Sequence, residues 1–303
     1  CMADYNTHRE FGSGDRICYH GMLDMFRNPK LAAAVYASQK TPRSPSDIVL
    51  EVSSGMALGD LPSGAPTACW VFTNAESVRL YRGNDYIAAF SPDRHGRFAA
   101  MPHPPIEIND FVGSLLEKYE GMDSPSAQAA AAILNDMRRC AMELSPLSKA
   151  RMLSLRLSWN EVARMYCKYI GILGSPSPVY RFEAVWHGRV VGTVVREPVQ
   201  SVRLECTVHN PILTDGPTWD CAAVSLRAID QNGNLLPYCG EAVQLRVDGP
   251  LKIIGPSVVP LRGGMAGTYL ATTGEAGRAV LHCRMEGALD TDAVLTIRSR
   301  ENG

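Results

Sequence analysis

The chain has 303 residues, 30 basic and 31 acidic side chains, and a formal net charge of −1. Neither sign gathers into a block, which argues against nucleic acid or an anionic membrane surface as partner. No window approaches about 18 apolar residues without a charge, and no basic stretch leads into an apolar one at the N-terminus. Neither a membrane span nor a signal peptide is therefore read, and the length implies on the order of two or three domains.

The first forty residues read as one α/β unit. Cys1 to His8 is the tail of a strand breaking into a polar loop, and Arg9 to Gly21 mixes charge, glycine and aromatics without a period. Met22 to Gln39 is apolar-rich, with a turn at Asp24 to Asn28, Pro29 in first-turn position and a helix from Lys30 to Ser38. One such unit cannot bury both of its faces. Ala32, Ala33, Val35 and Tyr36 would present an apolar helix face in search of a sheet, so the larger part of this domain is expected elsewhere.

Lys40 to Asp47 is a linker, and strands follow. They are expected at Asp47 to Ser54, at Thr67 to Asn74, and in a hairpin from Ser77 to Asp93 around Arg82-Gly83-Asn84. Beyond His103 the period becomes helical. Phe111, Val112, Leu115, Leu116 and Tyr119 share a face, with Asn109 or Asp110 as cap; Ser124 to Leu144 is alanine-rich. Ser145-Pro146 restarts a helix, and Ser158 with Glu161 fits a capping box. This block reads as a loop insertion that leaves the strands self-sufficient, its stripes covered by the first sandwich or a partner subunit. Val179 to Pro198 is a hairpin turning at His187-Gly188. From Ser201 to Arg300 about seven strands alternate with Gly, Pro and Asn turns, one of them at Asp230 to Asn234, the pattern of a β-sandwich.

Nine cysteines are present, an odd number with no C-x-x-C spacing. Cys206, Cys221 and Cys283 fall in strand-like runs, Cys140 and Cys167 in helix-like ones. Thiols packed as small hydrophobes in a reducing, cytoplasmic compartment are the expectation; a Cys206–Cys283 bridge stays open, because sequence supplies no geometry. No His, Cys and Asp grouping has zinc spacing. Gly12-Ser13-Gly14 lacks the strand, lysine and spaced glycines of a phosphate loop, so no metal or cofactor is expected.

Ala3 to His8 (ADYNTH) and Tyr19 to Gln39 (YHGMLDMFRNPKLAAAVYASQ) together resemble the last strand, loop and closing helix of the catalytic barrel in glycoside hydrolase family 2, the β-galactosidase and β-glucuronidase family. The remainder resembles the sheet domains that follow that barrel. The resemblance implies a mainly β fold: two immunoglobulin-like β-sandwiches, the first with a helical insertion, preceded by the last strand-loop-helix of a TIM barrel. Its boundaries are 1–40, 41–198 with the insertion at about 106–174, and 199–303. It further implies the C-terminal part of a retaining enzyme that cleaves β-glycosides such as β-galactosides. Both catalytic glutamates would lie on earlier strands, in a missing N-terminal catalytic region, so this chain alone is expected to be inactive.

What the resemblance leaves to this chain is the rim of the sugar site: Asp4, Tyr5, Asn6, His8, Arg9 and Glu10. Each has a plainer reading. Asp4 could cap a loop, Tyr5 could fill the barrel mouth, Arg9 and Glu10 could pair with each other, and Asp15 and Arg16 could anchor the glycine loop. Trp70 and Trp186 fall in alternating strands and are read as core, whereas Trp219, after Pro217, is open. A β-glycoside or oligosaccharide is the implied partner, with homo-oligomer formation left open. The competing reading is a non-enzymatic immunoglobulin-like carbohydrate-binding or adhesion module.

Overall fold

A computed structural model describes residues 1–7, 17–53, 69–140, 143–171 and 178–299. The chain divides into two compact units, Cys1–Ala32 with Val199–Gly303, and Ala33–Pro198. The architecture is mainly β: two curled pairs of sheets resembling immunoglobulin-like sandwiches, a helical insertion in the first, and a small strand and helix segment ahead of them.

That leading segment contains β1 (Tyr5–Asn6), β2 (Ile17–Cys18) and α1 (Leu31–Ala37). No residue of α1 is buried, and Tyr36 at its outer end is 66% exposed. The helix is one residue shorter at each end than its sequence pattern suggests.

The unit Ala33–Pro198 begins with β3 (Leu50–Val52), β4 (Trp70–Thr73), β5 (Ser77–Arg82), β6 (Asp85–Phe90) and β7 (Ile106–Glu107). Four helices follow, α2 (Leu115–Glu120), α3 (Ser124–Arg139), α4 (Pro146–Ser154) and α5 (Trp159–Tyr169), and then β8 (Tyr180–Trp186) and β9 (Arg189–Arg196). One sheet has the order β3-β4-β7, the other β6-β5-β8-β9. Both hairpins turn where glycine meets a left-handed backbone: Gly83 at φ 58° after β5, and His187-Gly188 at 49° and 72° after β8. Two consecutive positive φ values make the second a turn whose twist suits the flanking strands.

The sheets are framed differently from their alternation. In β4 the core face carries Val71 and Thr73, so Trp70 is half-buried on the other face, edge-on to Phe98 at 5.7 Å. In β8 the pairing slips between Ala184 and Val185. That bulge puts Val185 into the interior beside Ala184 and turns Trp186 out of it. Neither tryptophan is the core residue that a period of two implies.

The helical block starts later than its sequence suggests, since Ile106 pairs with Val71 and belongs to the sheet. The expected first cap is misplaced: α2 begins only at Leu115, after Ser114, so neither Asn109 nor Asp110 caps it and Phe111 and Val112 precede the helix. Asp110 instead accepts from the amides of Val112 and Gly113. The later ends follow the expected chemistry: Ser145 caps α4 by accepting from Ser148, and Ser158 with Glu161 forms the capping box of α5. The chain breaks between α4 and α5 at Arg156, φ 54°. The block is not an add-on. Phe111, Leu116, Ile133, Leu134, Met137, Tyr166 and Tyr169 are buried in one continuous core with Val71, Leu80, Tyr180 and Phe182 of the sheets. The stripes are covered by the first sandwich itself.

In the other unit, β10 (Val202–Val208), β11 (Ile212–Asp215), β12 (Cys221–Ile229), β13 (Ala242–Asp248) and β14 (Leu251–Ile254) come first. They are followed by β15 (Val258–Pro260), β16 (Met265–Thr272), β17 (Gly277–Met285), β18 (Ala288–Leu289) and β19 (Thr291–Ser299). Two five-stranded sheets result, β14-β16-β12-β10-β18 and β11-β19-β17-β13-β15. The core sits between them, with Leu204, Val224, Leu226 and Leu270 meeting Val243, Leu281, Cys283 and Leu295. Ten strands stand among the described residues where about seven are expected, and four of them, β11, β14, β15 and β18, are two to four residues long, too short to show a period. After β12 the turn closes on Asp230, whose Oδ1 accepts from the amides of Asn232 and Asn234 while Asn234 donates to its Oδ2, all at 2.8 Å. Gly233 supplies the left-handed residue there, φ 79°. No disulfide joins any of the nine cysteines. Among the described residues no helix is long and apolar enough to cross a membrane.

Candidate functional site

The candidate rim lies in the segment Cys1–Ala32, which packs on the C-terminal sandwich. β1 pairs antiparallel with β2, Tyr5 opposite Cys18 and Asn6 opposite Ile17. Behind them the chain crosses itself: Asp4 N donates to Leu23 O at 2.9 Å and Leu23 N to Met2 O at 3.0 Å. Gly21 lies where these strands touch. A Cβ there would stand 2.2 Å from the backbone carbon of Ala3, so no larger residue fits.

Asp4 is drawn into this crossing. Its side chain is 3% exposed, and Oδ1 accepts from Gly21 N at 2.9 Å and from Lys30 Nζ at 2.7 Å. The carboxylate therefore ties the strand to the loop and to the start of the helix. Tyr5 and Asn6 come to the surface, Tyr5 at 44% exposure. A hydrogen bond with Cys18 pushes the Tyr5 phenol above its ordinary value. His8, Arg9 and Glu10 lie outside the described residues, as do Asp15 and Arg16.

Three side chains with no signal in their local sequence complete the surface. Tyr19, 42% exposed, has the Lys30 ammonium and the Arg262 guanidinium each 5.9 Å from its ring centroid. Lys30 Nζ also donates to Tyr19 O at 3.1 Å, and Arg262 donates to the Tyr19 hydroxyl. Arg262 is separated from Tyr19 by 243 positions, so no spacing rule could have found it. An exposed ring flanked by cationic donors can meet a polyhydroxylated ligand with both apolar and hydrogen-bonding surface.

The segment is fastened by a second closed loop. Asp24 Oδ1 accepts from the amides of Phe26 and Asn28, and Asn28 Nδ2 donates to Asp24 Oδ2, each at 2.8 Å. Asn28 is buried and its Nδ2 donates onward to Ala266 O of β16 at 2.9 Å. Phe26 lies over Gly267, where a Cβ would stand 2.3 Å from its ring, and 5.9 Å from the Tyr269 ring.

A cleft of about 650 Å³ opens in the helical block, lined among others by Asp110, Glu117, Asn135, Asp136, Arg139 and Arg151. Two of its carboxylates are already engaged. Asp110 caps the turn into α2 and accepts from Asn135 Nδ2 at 2.7 Å; Asp136 accepts from the hydroxyls of Ser145 and Ser148, which hold it below the usual carboxylate range. Trp219 is 60% exposed. Among the described residues no three His, Cys, Asp or Glu side chains are grouped to hold a metal ion.

No protein-family model matches the sequence. The β-galactosidase of Thermoanaerobacterium thermosulfurigenes is 30% identical over 267 residues, 87% of this chain and 29% of that protein. The β-galactosidase of Rhizobium meliloti is 28% identical over 291 residues, 95% of this chain and 31% of that protein. The chain thus spans about a third of the length of the curated relatives it matches. A β-glycosidase structure from Bacteroides vulgatus matches with a TM-score of 0.57 at 13% identity, over 97% of this chain and 30% of that one. A glycosyl hydrolase family 2 member from Bacteroides cellulosilyticus matches with a TM-score of 0.52 at 10% identity, over 92% and 31%. At such identities the structures speak to the fold, and the sequence similarity carries descent. Over most of its length, then, the chain is homologous to glycosidases of the glycoside hydrolase 2 clan, the β-galactosidase and β-glucuronidase family.

Proposed function

We propose that this chain is the non-catalytic C-terminal part of a retaining β-glycosidase acting on β-glycosides such as β-galactosides. In this reading the sandwiches brace a catalytic barrel, residues 1–40 form that barrel's last strand, loop and helix, and Tyr5 and Asn6 contribute to the sugar rim with His8, Arg9 and Glu10. The observation that carries it is the similarity to β-galactosidases, which spans most of this chain and about a third of theirs. Retaining hydrolysis needs two carboxyls about 5–5.5 Å apart, one as nucleophile and one as acid and base. The buried carboxylates of the C-terminal unit have other work: Asp4 holds Gly21 and Lys30, Asp215 accepts from Gly274 N, and Asp230 closes its turn. Asp4 thereby acts on the rim by positioning the strand that bears Tyr5. A reducing compartment suits the nine thiols.

The test has two arms. The purified chain is expected to leave nitrophenyl β-glycosides unhydrolysed; turnover abolished by Glu10→Gln or Asp4→Asn would overturn the assignment. In the intact enzyme, Tyr5→Ala is expected to raise KM for a β-galactoside several-fold with a smaller change in kcat. An unchanged KM would remove Tyr5 from the rim.

A further inference from the structure

The C-terminal sandwich places two thiols face to face across its core. Cys206 belongs to β10 and Cys283 to β17, strands of the two opposed sheets. Their sulfurs are 3.7 Å apart, with the Cys283 thiol donating to Cys206 Sγ, across 77 positions of sequence. The strands are held together at this edge by other bonds. Thr291, which faces Cys283 across β17 and β19, donates from its hydroxyl to Leu204 O in β10 at 2.6 Å, and β18 pairs with β10 at Val202 and Arg203. We propose that Cys206 and Cys283 are an oxidisable pair, a modification site at which a hydroperoxide closes a disulfide that ties the two sheets together.

The two sulfurs are unequal in a way that orders the steps. Cys206 is half-buried, whereas Cys283 is wholly buried. Donation from Cys283 draws the Cys206 thiol below its ordinary value, and the same bond together with burial pushes Cys283 up. Cys206 is therefore the sulfur a small oxidant reaches and the one that carries thiolate character. The Cys206 thiol gives up its proton, its thiolate attacks one oxygen of hydrogen peroxide, the O–O bond breaks, and the departing hydroxide takes up that proton as water, giving a sulfenic acid. Cys283 sulfur then attacks Cys206 sulfur, the S–O bond breaks, and the departing hydroxide takes the Cys283 proton as a second water. The two cysteines lose two electrons and the peroxide gains them. Closure needs the sulfurs to approach from 3.7 Å to about 2.0 Å. The plainer view, two small hydrophobes in contact, accounts for the burial of Cys283 but implies no reaction.

The whole chain is treated with hydrogen peroxide, quenched, alkylated under denaturing conditions and digested with trypsin. The expected result is a mass loss of about two hydrogens and a reducible link between the peptides spanning 204–227 and 279–284. Cys206→Ala abolishes the link, and Cys221→Ser, which alters the other thiol of the first peptide, leaves it in place. Oxidation is expected to raise the melting temperature by on the order of 5–10 °C, reversed by a reductant. Peroxide that drives Cys206 to sulfinic acid while Cys283 remains alkylatable would overturn the proposal, as would a link that survives Cys206→Ala. The wild-type digest decides the matter even if a variant fails to fold.

Discussion

Replacing Asp4 tests whether this carboxylate supports the segment or merely decorates it. In Asp4→Ala the Gly21 amide loses its acceptor at a buried site, since the Asp4 side chain is 3% exposed. A buried donor left unsatisfied costs about 1–3 kcal/mol. Lys30 loses its ion pair too, but at 27% exposure, and with Tyr19 O still accepting, it recovers much of that from water. The sum is about 2–3 kcal/mol. Asp4→Asn keeps an oxygen for Gly21 and gives up only the charge, about 1 kcal/mol. The loss should be local, because the bonds of Asp4 to Gly21, Leu23 and Lys30 all lie within residues 1–32. Hydrogen exchange followed by mass spectrometry is the assay. Protection should fall in peptides covering 17–30 and hold in those covering β12 and β17. Equal exchange in wild type and Asp4→Ala, or an Asn variant as damaged as the Ala variant, would refute this account.

Glu120 joins α2 to α5 by accepting from Arg164, Lys168 and the Tyr169 hydroxyl, bonds that lower its pKa to about 2. A lowered folded value stabilises above the ordinary carboxylate range and is lost as pH falls through it toward 2. With Arg164 and Lys168 about half exposed, screening leaves about 1 kcal/mol. Glu120→Gln should therefore lower the urea midpoint at pH 7, with the deficit shrinking between pH 4.5 and 2; a deficit constant with pH would disprove the linkage. Arg27 occupies a left-handed position, φ 71°, where glycine sits without strain. Arg27→Gly should gain about 0.5 kcal/mol net of unfolded-state entropy, and a lower melting temperature would count against it. Replacing Met122 to Gly174 by a short Gly/Ser linker removes Ile133, Leu134, Met137, Tyr166 and Tyr169 from a shared core. That forfeits on the order of 10 kcal/mol, as much as a domain has, so a molten product is expected by near-ultraviolet dichroism; a cooperative melt would mean the strands stand alone.

What the sequence disclosed was local. The turns at Gly83 and His187-Gly188, the cap at Ser145 and the box at Ser158 and Glu161 each follow from residues within four positions of one another. The errors arose where a distant neighbour or a backbone slip decides. A bulge at Val185 reverses the faces for Trp186, and the helical block reads as dispensable because amphipathic stripes do not say what covers them. The rim residues show the same divide. Asp4, Tyr5 and Asn6 were legible as one polar strand end, yet the inward turn of Asp4 depends on Lys30, 26 positions away, and the flank of Tyr19 on Arg262. No period or motif encodes such partners. The Cys206–Cys283 contact is of this kind too, since only the pairing of sheets brings the sulfurs together.

The C-terminal unit builds one loop twice, and the comparison explains how its leading segment is held. Asp24 to Asn28 and Asp230 to Asn234 share the same closing bonds: the aspartate Oδ1 takes the second and fourth amides beyond it, and the asparagine amide returns to Oδ2. The backbones match as well, with the aspartate N donating to the asparagine O at 2.9 Å in both. The left-handed residue is Gly233 in one and Arg27 in the other. A loop that tolerates arginine at that position must be held by something beyond its own turn. Here Asn28 reaches Ala266 O, and Phe26 fills the place that a side chain at 267 would take. The strain at Arg27 is thus offset by docking on β16. Lys30, two residues past Asn28, carries the grip to Asp4 and so to the strand that presents Tyr5.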